Sequence, residues 1–208
     1  AQTQVAMRAD DPKDRKEALK KLLNGVERSS HIIHQLLTMS RMAPQASLHE
    51  ATDMDLTQAA TNTISDLIQS ALNKNIDLGM DAPEHLIIQC NNVAIAILLR
   101  NIVDNAIRYT PDGGAVSLDI KGKKILNKRY AIITVTDTGP GIPEELRERV
   151  FERFFRVVGN KAQGSGLGLG IVKQIVALHG GSVELNTPAG GKGLEIKIKL
   201  PCTPKIVN

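Results

Sequence analysis

Asn101, Asn105 and Arg108 stand four and three residues apart, and on a helix that spacing puts two amides and a cation on one stripe. Carboxamide oxygens are hard ligands suited to a hydrated divalent cation, and a guanidinium grips phosphate oxygens in a fixed fork. Ile97, Leu98, Ile102, Val103 and Ile107 supply the other, apolar face. A solvated helix face carries the same pattern, so the stripe alone leaves both readings open. Asp137-Thr-Gly139-Pro-Gly141-Ile142 follows the apolar run Ala131–Val135. Gly-Pro-Gly is in itself a tight turn. An Asp at a strand end can also accept a hydrogen bond from an exocyclic amine while glycines let a planar ring approach. Such a carboxylate favours adenine, whose N6 donates, over guanine, whose O6 opposes it. Gly164-Ser165-Gly166-Leu167-Gly168-Leu169-Gly170 then leads into the helical run Ile171–Leu178. Glycine-rich entry to a helix N-terminus makes an anion site, because free N–H groups and the helix dipole face the ligand. The spacing is neither the dinucleotide fingerprint nor Walker A. Between these stretches lie Phe151-Glu-Arg153-Phe-Phe155-Arg156 and a polar, glycine-containing segment, 157–163. That segment has the composition of a lid from which Arg156 or Lys161 could reach phosphate.

These residues need elements to hold them. Apolar spacing of three and four predicts helices over Leu56–Asn73, Asn92–Arg108 and Leu169–Leu178, with a further helix signal around Pro143–Phe151. Strands are expected at Ile76–Met80, Leu86–Cys90, Ala115–Ile120, Tyr130–Asp137, Ser182–Asn186 and Leu194–Leu200. The last alternates apolar and charged residues, so one face is wet. The fold class is therefore α+β: an α/β sandwich with helices on one face of a mixed sheet. It is preceded by a helical segment. Asp11-Pro12 starts a helix, and Leu19, Leu22, Val26, Ile33 and Leu36 repeat along it. Residues 1–42 read as a helical hairpin with its first arm cut short at the chain start. Its apolar stripe needs cover, either from a second copy in a four-helix bundle or from the rest of the chain. Residues 43–55 read as a linker, 56–201 as the sandwich and 202–208 as a tail.

Composition removes several function classes. The chain has 208 residues, 42% hydrophobic and 23% charged, with a net charge of +4, ordinary for a globular protein. No run approaches the ~18 apolar residues of a membrane-spanning helix, and the N-terminus has no secretory pattern. Cys90 and Cys202 are far apart in sequence and lack metal-ligand spacing, which disfavours a disulfide framework or zinc site. The charge is +3 over 1–42, −4 over 43–80, +1 over 81–142 and +4 over 143–208. Acids are interleaved and aromatics are 2%, so no nucleic-acid surface is expected.

The order of the stretches is specific: amide-rich helix, Asp-x-Gly-x-Gly, Phe/Arg cluster, glycine run. It resembles the catalytic and ATP-binding domain of two-component sensor histidine kinases, with the Bergerat-type ATP fold. Asn101–Tyr109 is similar to the N box, Asp137–Ile142 to the first glycine box, Phe151–Arg156 to the F box and Gly164–Leu169 to the second glycine box. Glu27–Arg41 resembles the second helix of the dimerisation hairpin. Gyrase-type, mismatch-repair and chaperone ATPases share the fold but not the F box. An ATP-binding interaction module and an anti-sigma-type serine kinase are the alternatives, and the hairpin argues against the latter.

The resemblance implies ATP and Mg²⁺ as cofactors. It makes Asn105 the Mg²⁺ ligand, supported by Asn101, with Arg108 and Tyr109 on phosphates and nucleotide. Asp137 would bind the adenine amine, with Gly139, Gly141 and Ile142 lining the base. Arg156 would serve the γ-phosphoryl group, with Asn101 and Arg156 as catalytic residues and Lys161 among the residues that hold the nucleotide. Gly164, Ser165, Gly166, Leu167, Gly168 and Leu169 would hinge the lid and hold phosphates. Gly170 departs from the Ser or Ala more usual in the family. None of His31, His34, His49, His85 or His179 stands in a phosphoacceptor motif. The chain is thus expected to begin after that motif and not to phosphorylate itself. The implied partners are a response regulator and a second copy of the chain, with no nucleic acid and no membrane contact. The implied setting is the cytoplasmic side of an inner-membrane sensor.

Overall fold

The computed structural model describes residues 11, 13–16, 18, 19, 22, 51–156 and 166–202. The chain divides into two compact units, Ala1–Ala43 and Pro44–Asn208. In the first, residues 13–16, 18, 19 and 22 are helical, and Asp11 Oδ1 accepts from Lys13 N at 2.8 Å, as its helix-start role requires. The remainder of the expected hairpin, with His31 and His34, lies outside the described residues, as does His49.

The second unit is a two-layer sandwich. Helix α1 (Leu56–Leu72) starts at Asp55, whose carboxylate accepts from Thr57 N and Gln58 N, and it buries Leu56, Ala60, Thr63, Leu67 and Ala71. Helix α2 (Asn92–Tyr109) is capped by Asn91, whose side chain accepts from Ala94 N. Its buried stripe runs through Ile95, Leu98, Leu99, Ile102 and Val103 to Ile107. Helix α3 (Gly168–Leu178) has no side-chain cap. Seven strands accompany them: β1 (Thr52–Asp55), β2 (Asp77–Asp81), β3 (Ile87–Cys90), β4 (Ala115–Ile125), β5 (Lys128–Asp137), β6 (Ser182–Asn186) and β7 (Leu194–Cys202). The main sheet has the order β2-β4-β5-β7-β6. The β2–β4 pair is parallel and the others are antiparallel. Register lines Leu118, Val135 and Ile196 in one row and Ile120, Ile133 and Ile198 in the next. All six are buried, and the three helices pack on that face. Between them in sequence, Thr134, Thr136, Glu195, Lys197 and Lys199 fall on the other, wetter face.

Two expectations are corrected. Thr52–Asp55, assigned above to the linker, is a strand paired antiparallel with β3. Its polar Thr-Asp-Met-Asp gives no apolar signal, and pairing rather than burial makes it a strand. The helix signal at Pro143–Phe151 resolves into two short 3-10 turns, Glu144–Leu146 and Arg149–Phe151. Only Val150 is buried there, too little apolar surface to seat a full helix.

Two side chains fasten α2 from outside it. Lys74 Nζ donates to the carbonyls of Ile107 at 2.9 Å, Arg108 at 3.1 Å and Thr110, placing a cation at the negative end of the helix dipole. At the other end His179 Nε2 accepts from Asn91 N at 3.1 Å, while its Nδ1 meets Ile175 O at 2.8 Å. This ties the end of α3 to the start of α2 and gives His179 a structural role. Both cysteines are free. Burial, with Cys202 nearby, pushes the Cys90 thiol up to about 11.

Candidate nucleotide site

The site forms where α2, the end of β5 and the start of α3 meet. Asn101 and Asn105 share a face of α2, and Asn101 Nδ2 donates to Ile97 O at 2.8 Å. A Cβ on Gly168 would stand 3.0 Å from Asn105 Nδ2 and 3.1 Å from Asn101 Oδ1. Gly168 of the glycine run and the two amides, 63 and 67 residues apart in sequence, therefore meet directly. Arg108 Nη2 pairs with Asp104 Oδ2 at 2.6 Å, an i,i+4 bond that holds the guanidinium along the helix. The unclaimed first-turn N–H groups of α3 point out of its start.

Asp137 is 5% exposed, the one buried charged side chain among the described residues. Its Oδ1 accepts from Gly139 N at 2.8 Å and from Leu194 N at 3.2 Å. Burial pushes this carboxyl above its ordinary range, and the two N–H donors offset part of that rise. The backbone around it is close-packed. A Cβ on Gly139 would be 2.8 Å from Asp137 Oδ1 and 3.0 Å from Tyr109 O. Gly193 has φ +104, and a Cβ there would overlap Asp137 O at 1.8 Å. Gly141 has φ +72 and abuts Gly193 O. Only glycine fits these close approaches. Ile142 O accepts from Arg147 Nε at 3.3 Å, and Arg147 Nη2 reaches Thr187 Oγ1 at 2.6 Å.

Sequence reasoning did not single out Gly193, Leu194 or Arg147 as site residues. The Gly190-Gly191-Lys192-Gly193 run was a usable signal; the backbone donor of Leu194, 57 residues from Asp137, was not.

In the Phe/Arg cluster, Arg149 lies over the Phe155 ring at 4.5 Å and Lys173 over Phe151 at 5.1 Å. Phe154 holds φ +63, and its N donates to Gly166 O at 3.0 Å. That bond joins the two described flanks of 157–165. Leu167 is buried, and Gly166 sits with φ +72 against the Phe154 backbone. Gly170 also has a local reason: a Cβ there would stand 3.1 Å from Phe151 O. Leu169 is half-buried and Arg156 exposed. Lys161, Gly164 and Ser165 lie outside the described residues.

The two carboxamides of α2 would suit a hard divalent cation. Among the described residues no group of three or more His, Cys, Asp or Glu could hold a metal, so the neutral amides of α2 would share the ion with ligand oxygens. No helix among the described residues is long and apolar enough to cross a membrane.

A profile of histidine kinase-, DNA gyrase B- and HSP90-like ATPases matches residues 90–204. The chain is 36% identical over 201 residues to the sensor protein kinase PmrB of Pseudomonas aeruginosa, covering 96% of this chain and 41% of that protein. It thus spans about two-fifths of this curated relative. Among solved structures it is similar to the mycobacterial sensor histidine kinase MprB, with 31% identity, TM-score 0.64, and coverage of 74% of this chain and 99% of that one. A histidine kinase, ThkA, solved with the response regulator TrrA, is 25% identical with TM-score 0.75, covering 98% of this chain and 56% of that one.

Proposed function

Because the chain belongs to the histidine kinase-, DNA gyrase B- and HSP90-like ATPase family, and within it to the sensor histidine kinases, we propose that it is the ATP- and Mg²⁺-binding kinase portion of a two-component sensor. It passes the γ-phosphoryl group of ATP to a histidine that lies outside this chain, for relay to an aspartate of a response regulator. The buried Asp137 carboxylate carries this reading, since an acceptor held by two backbone N–H groups is placed to take the adenine amine. Its fixed orientation selects adenine over guanine. Asn105, backed by Asn101, would hold Mg²⁺, which neutralises the phosphates when bound. The N-terminus of α3 receives phosphate oxygens, and Arg156 serves the γ-phosphoryl group, with Lys161 among the residues that hold the nucleotide. Phosphoryl transfer asks for positioning and charge neutralisation above all, and this chain supplies both without a nucleophile of its own.

The same reading makes the protein the cytoplasmic part of an inner-membrane sensor that pairs through residues 1–42. The response-regulator partner rests on the sensor-kinase likeness and on the ThkA–TrrA complex. The test is incubation with γ-labelled ATP and Mg²⁺, alone and with a longer chain that carries the acceptor helix but has a disabled ATP site. Binding without self-labelling, and labelling of the longer chain, is expected. Acid-labile label on this chain alone, lost on changing His31, His34 or His49, would overturn the assignment of the acceptor elsewhere.

A further inference from the structure

The turn joining β4 to β5 lies at the far end of the sheet from Asp137. Strand β5 runs ten residues from Lys128 at the turn to Asp137, about 30 Å at ~3.3 Å per residue. Strand β2 pairs with β4 only as far as Asp119, whereas the β4–β5 ladder continues to Ile125 and Lys128. The hairpin therefore runs on past its β2 neighbour. Its turn residues, Leu126 and Asn127, have φ +46 and +64, the left-handed pair that suits a two-residue hairpin. Asparagine is at ease in that conformation; leucine is not. Leu126 nevertheless occupies it, and its side chain is 96% exposed. The fold thus bears backbone strain while holding an aliphatic group fully in water, a combination that points to function.

The surroundings are cationic. Residues 121–130 hold Lys121, Lys123, Lys124, Lys128 and Arg129 and no acid. Lys121 lies 3.7 Å from Asp81 and 3.6 Å from Asp119. Lys123, Lys124, Lys128 and Arg129 have no ion pair among the described residues. At the base of the hairpin a cavity of about 660 Å³ is lined by Lys123, Lys124, Arg129 and Tyr130, by Asp53 and His85, and by Ile87 of β3. Ile87 is 55% exposed, so the cavity sets an apolar side chain beside three cations and the one carboxylate of Asp53.

An aliphatic tip ringed by cations complements a surface that is anionic outside and apolar just beneath. An anionic bilayer has that profile: headgroup phosphates meet the lysines, whose stems lie along the acyl boundary, and one leucine can enter without a shaped pocket. A protein partner needs about 800 Å² of matched surface per side, far more than one leucine offers. Nucleic acid needs stacking platforms, and the hairpin has a single aromatic residue, Tyr130.

We propose that the β4–β5 hairpin docks this domain on an anionic lipid surface, with Leu126 in the acyl boundary and Lys123, Lys124, Lys128 and Arg129 on the headgroups. The contact lies in the membrane plane and needs no spanning helix. It departs from the expectation that this chain makes no membrane contact, and it is independent of the nucleotide reading.

The test is sedimentation of the full chain with phosphatidylcholine vesicles, with and without about 30% phosphatidylglycerol, at about 0.1 M salt. At least tenfold tighter binding to the anionic vesicles is expected, lost at about 0.5 M salt. Leu126→Asn should weaken it about fivefold without lowering Tm, because Asn tolerates the left-handed turn. Lys123→Ala with Lys124→Ala should weaken it about tenfold, while the charge-matched pair Lys13→Ala with Lys197→Ala changes it less than about twofold. Equal binding to neutral vesicles, no effect of Leu126→Asn, or equal loss in the two double variants overturns the proposal. So does hairpin-dependent binding to polyglutamate or duplex DNA without vesicle binding, which reassigns the surface to an acidic protein or to nucleic acid.

Discussion

A carboxylate removed from water is costly unless its charge is used, and Asp137 combines near-complete burial with only backbone donors. Its pKa is raised by burial, so the folded chain keeps this proton at pH values where the unfolded chain has released it. The resulting contribution to stability is largest at acid pH and is lost as pH rises through the folded value. Asp137→Asn keeps an oxygen for both N–H groups and removes the charge. At pH 7 without nucleotide it should stabilise the chain by about 1 kcal/mol, a rise of roughly 2–4 °C in Tm, and the gain should shrink toward pH 4 in calorimetry. ATP affinity should fall at least about tenfold and the ATP/GTP gap should narrow. Loss of stability at pH 7 would make the carboxylate structural. For the wild type, ATP affinity should also decline on acidification, as the acceptor becomes a donor. Gly168 separates fold from site in another way. Its Cβ position lies within 3.1 Å of both Asn101 and Asn105, yet alanine is the better helix former. Gly168→Ala should therefore leave Tm within about 2 °C while weakening Mg²⁺-dependent ATP binding at least about tenfold in calorimetric titration. Equal loss with and without Mg²⁺ would disconnect the amides from the metal.

Each element of the site is anchored by something distant in sequence, which decides how much of it could be read beforehand. Helix α2 and strand β5 were legible because their burial is periodic: Leu98, Ile102 and Val103 mark one, Ala131, Ile133 and Val135 the other. The amides, Asp137 and the glycines were legible as a set because their order is specific. Strand β1 was not, because Thr52–Asp55 has no apolar alternation and exists through its ladder with β3. Nor was Lys74, whose ammonium caps carbonyls 33 to 36 residues away; nothing in its neighbours distinguishes it from a surface lysine. Lys74→Met leaves those carbonyls without their cation and should cost about 1–3 kcal/mol in urea unfolding. The last turn of α2 presents Tyr109, whose carbonyl packs against Gly139, so ATP affinity should weaken in the same variant. Lys74→Arg should recover part of both.

At the scale of the whole molecule, the division at Ala43 and Pro44 separates the nucleotide chemistry from the helical unit. A chain beginning at Pro44 should unfold in one transition and bind ATP within about twofold of the longer chain. A larger loss would mean that the helical unit contributes to the site. Self-association should travel with the helical unit instead, and replacing Leu36 and Leu37 by Asp should abolish it in sedimentation. The two thiols offer a view of the same molecule in time. Cys90 closes β3 just before α2 begins, is 1% exposed, and has its thiol pushed up to about 11; at pH 8 only about one part in a thousand is thiolate. Cys202 is half-buried at the end of β7. A thiol-reactive dye should therefore mark Cys202 within minutes and Cys90 only when the junction of β3 and α2 opens. The slow labelling phase becomes a clock for that opening. If ATP clamps α2 against α3, adding the nucleotide should slow the clock without altering the fast phase.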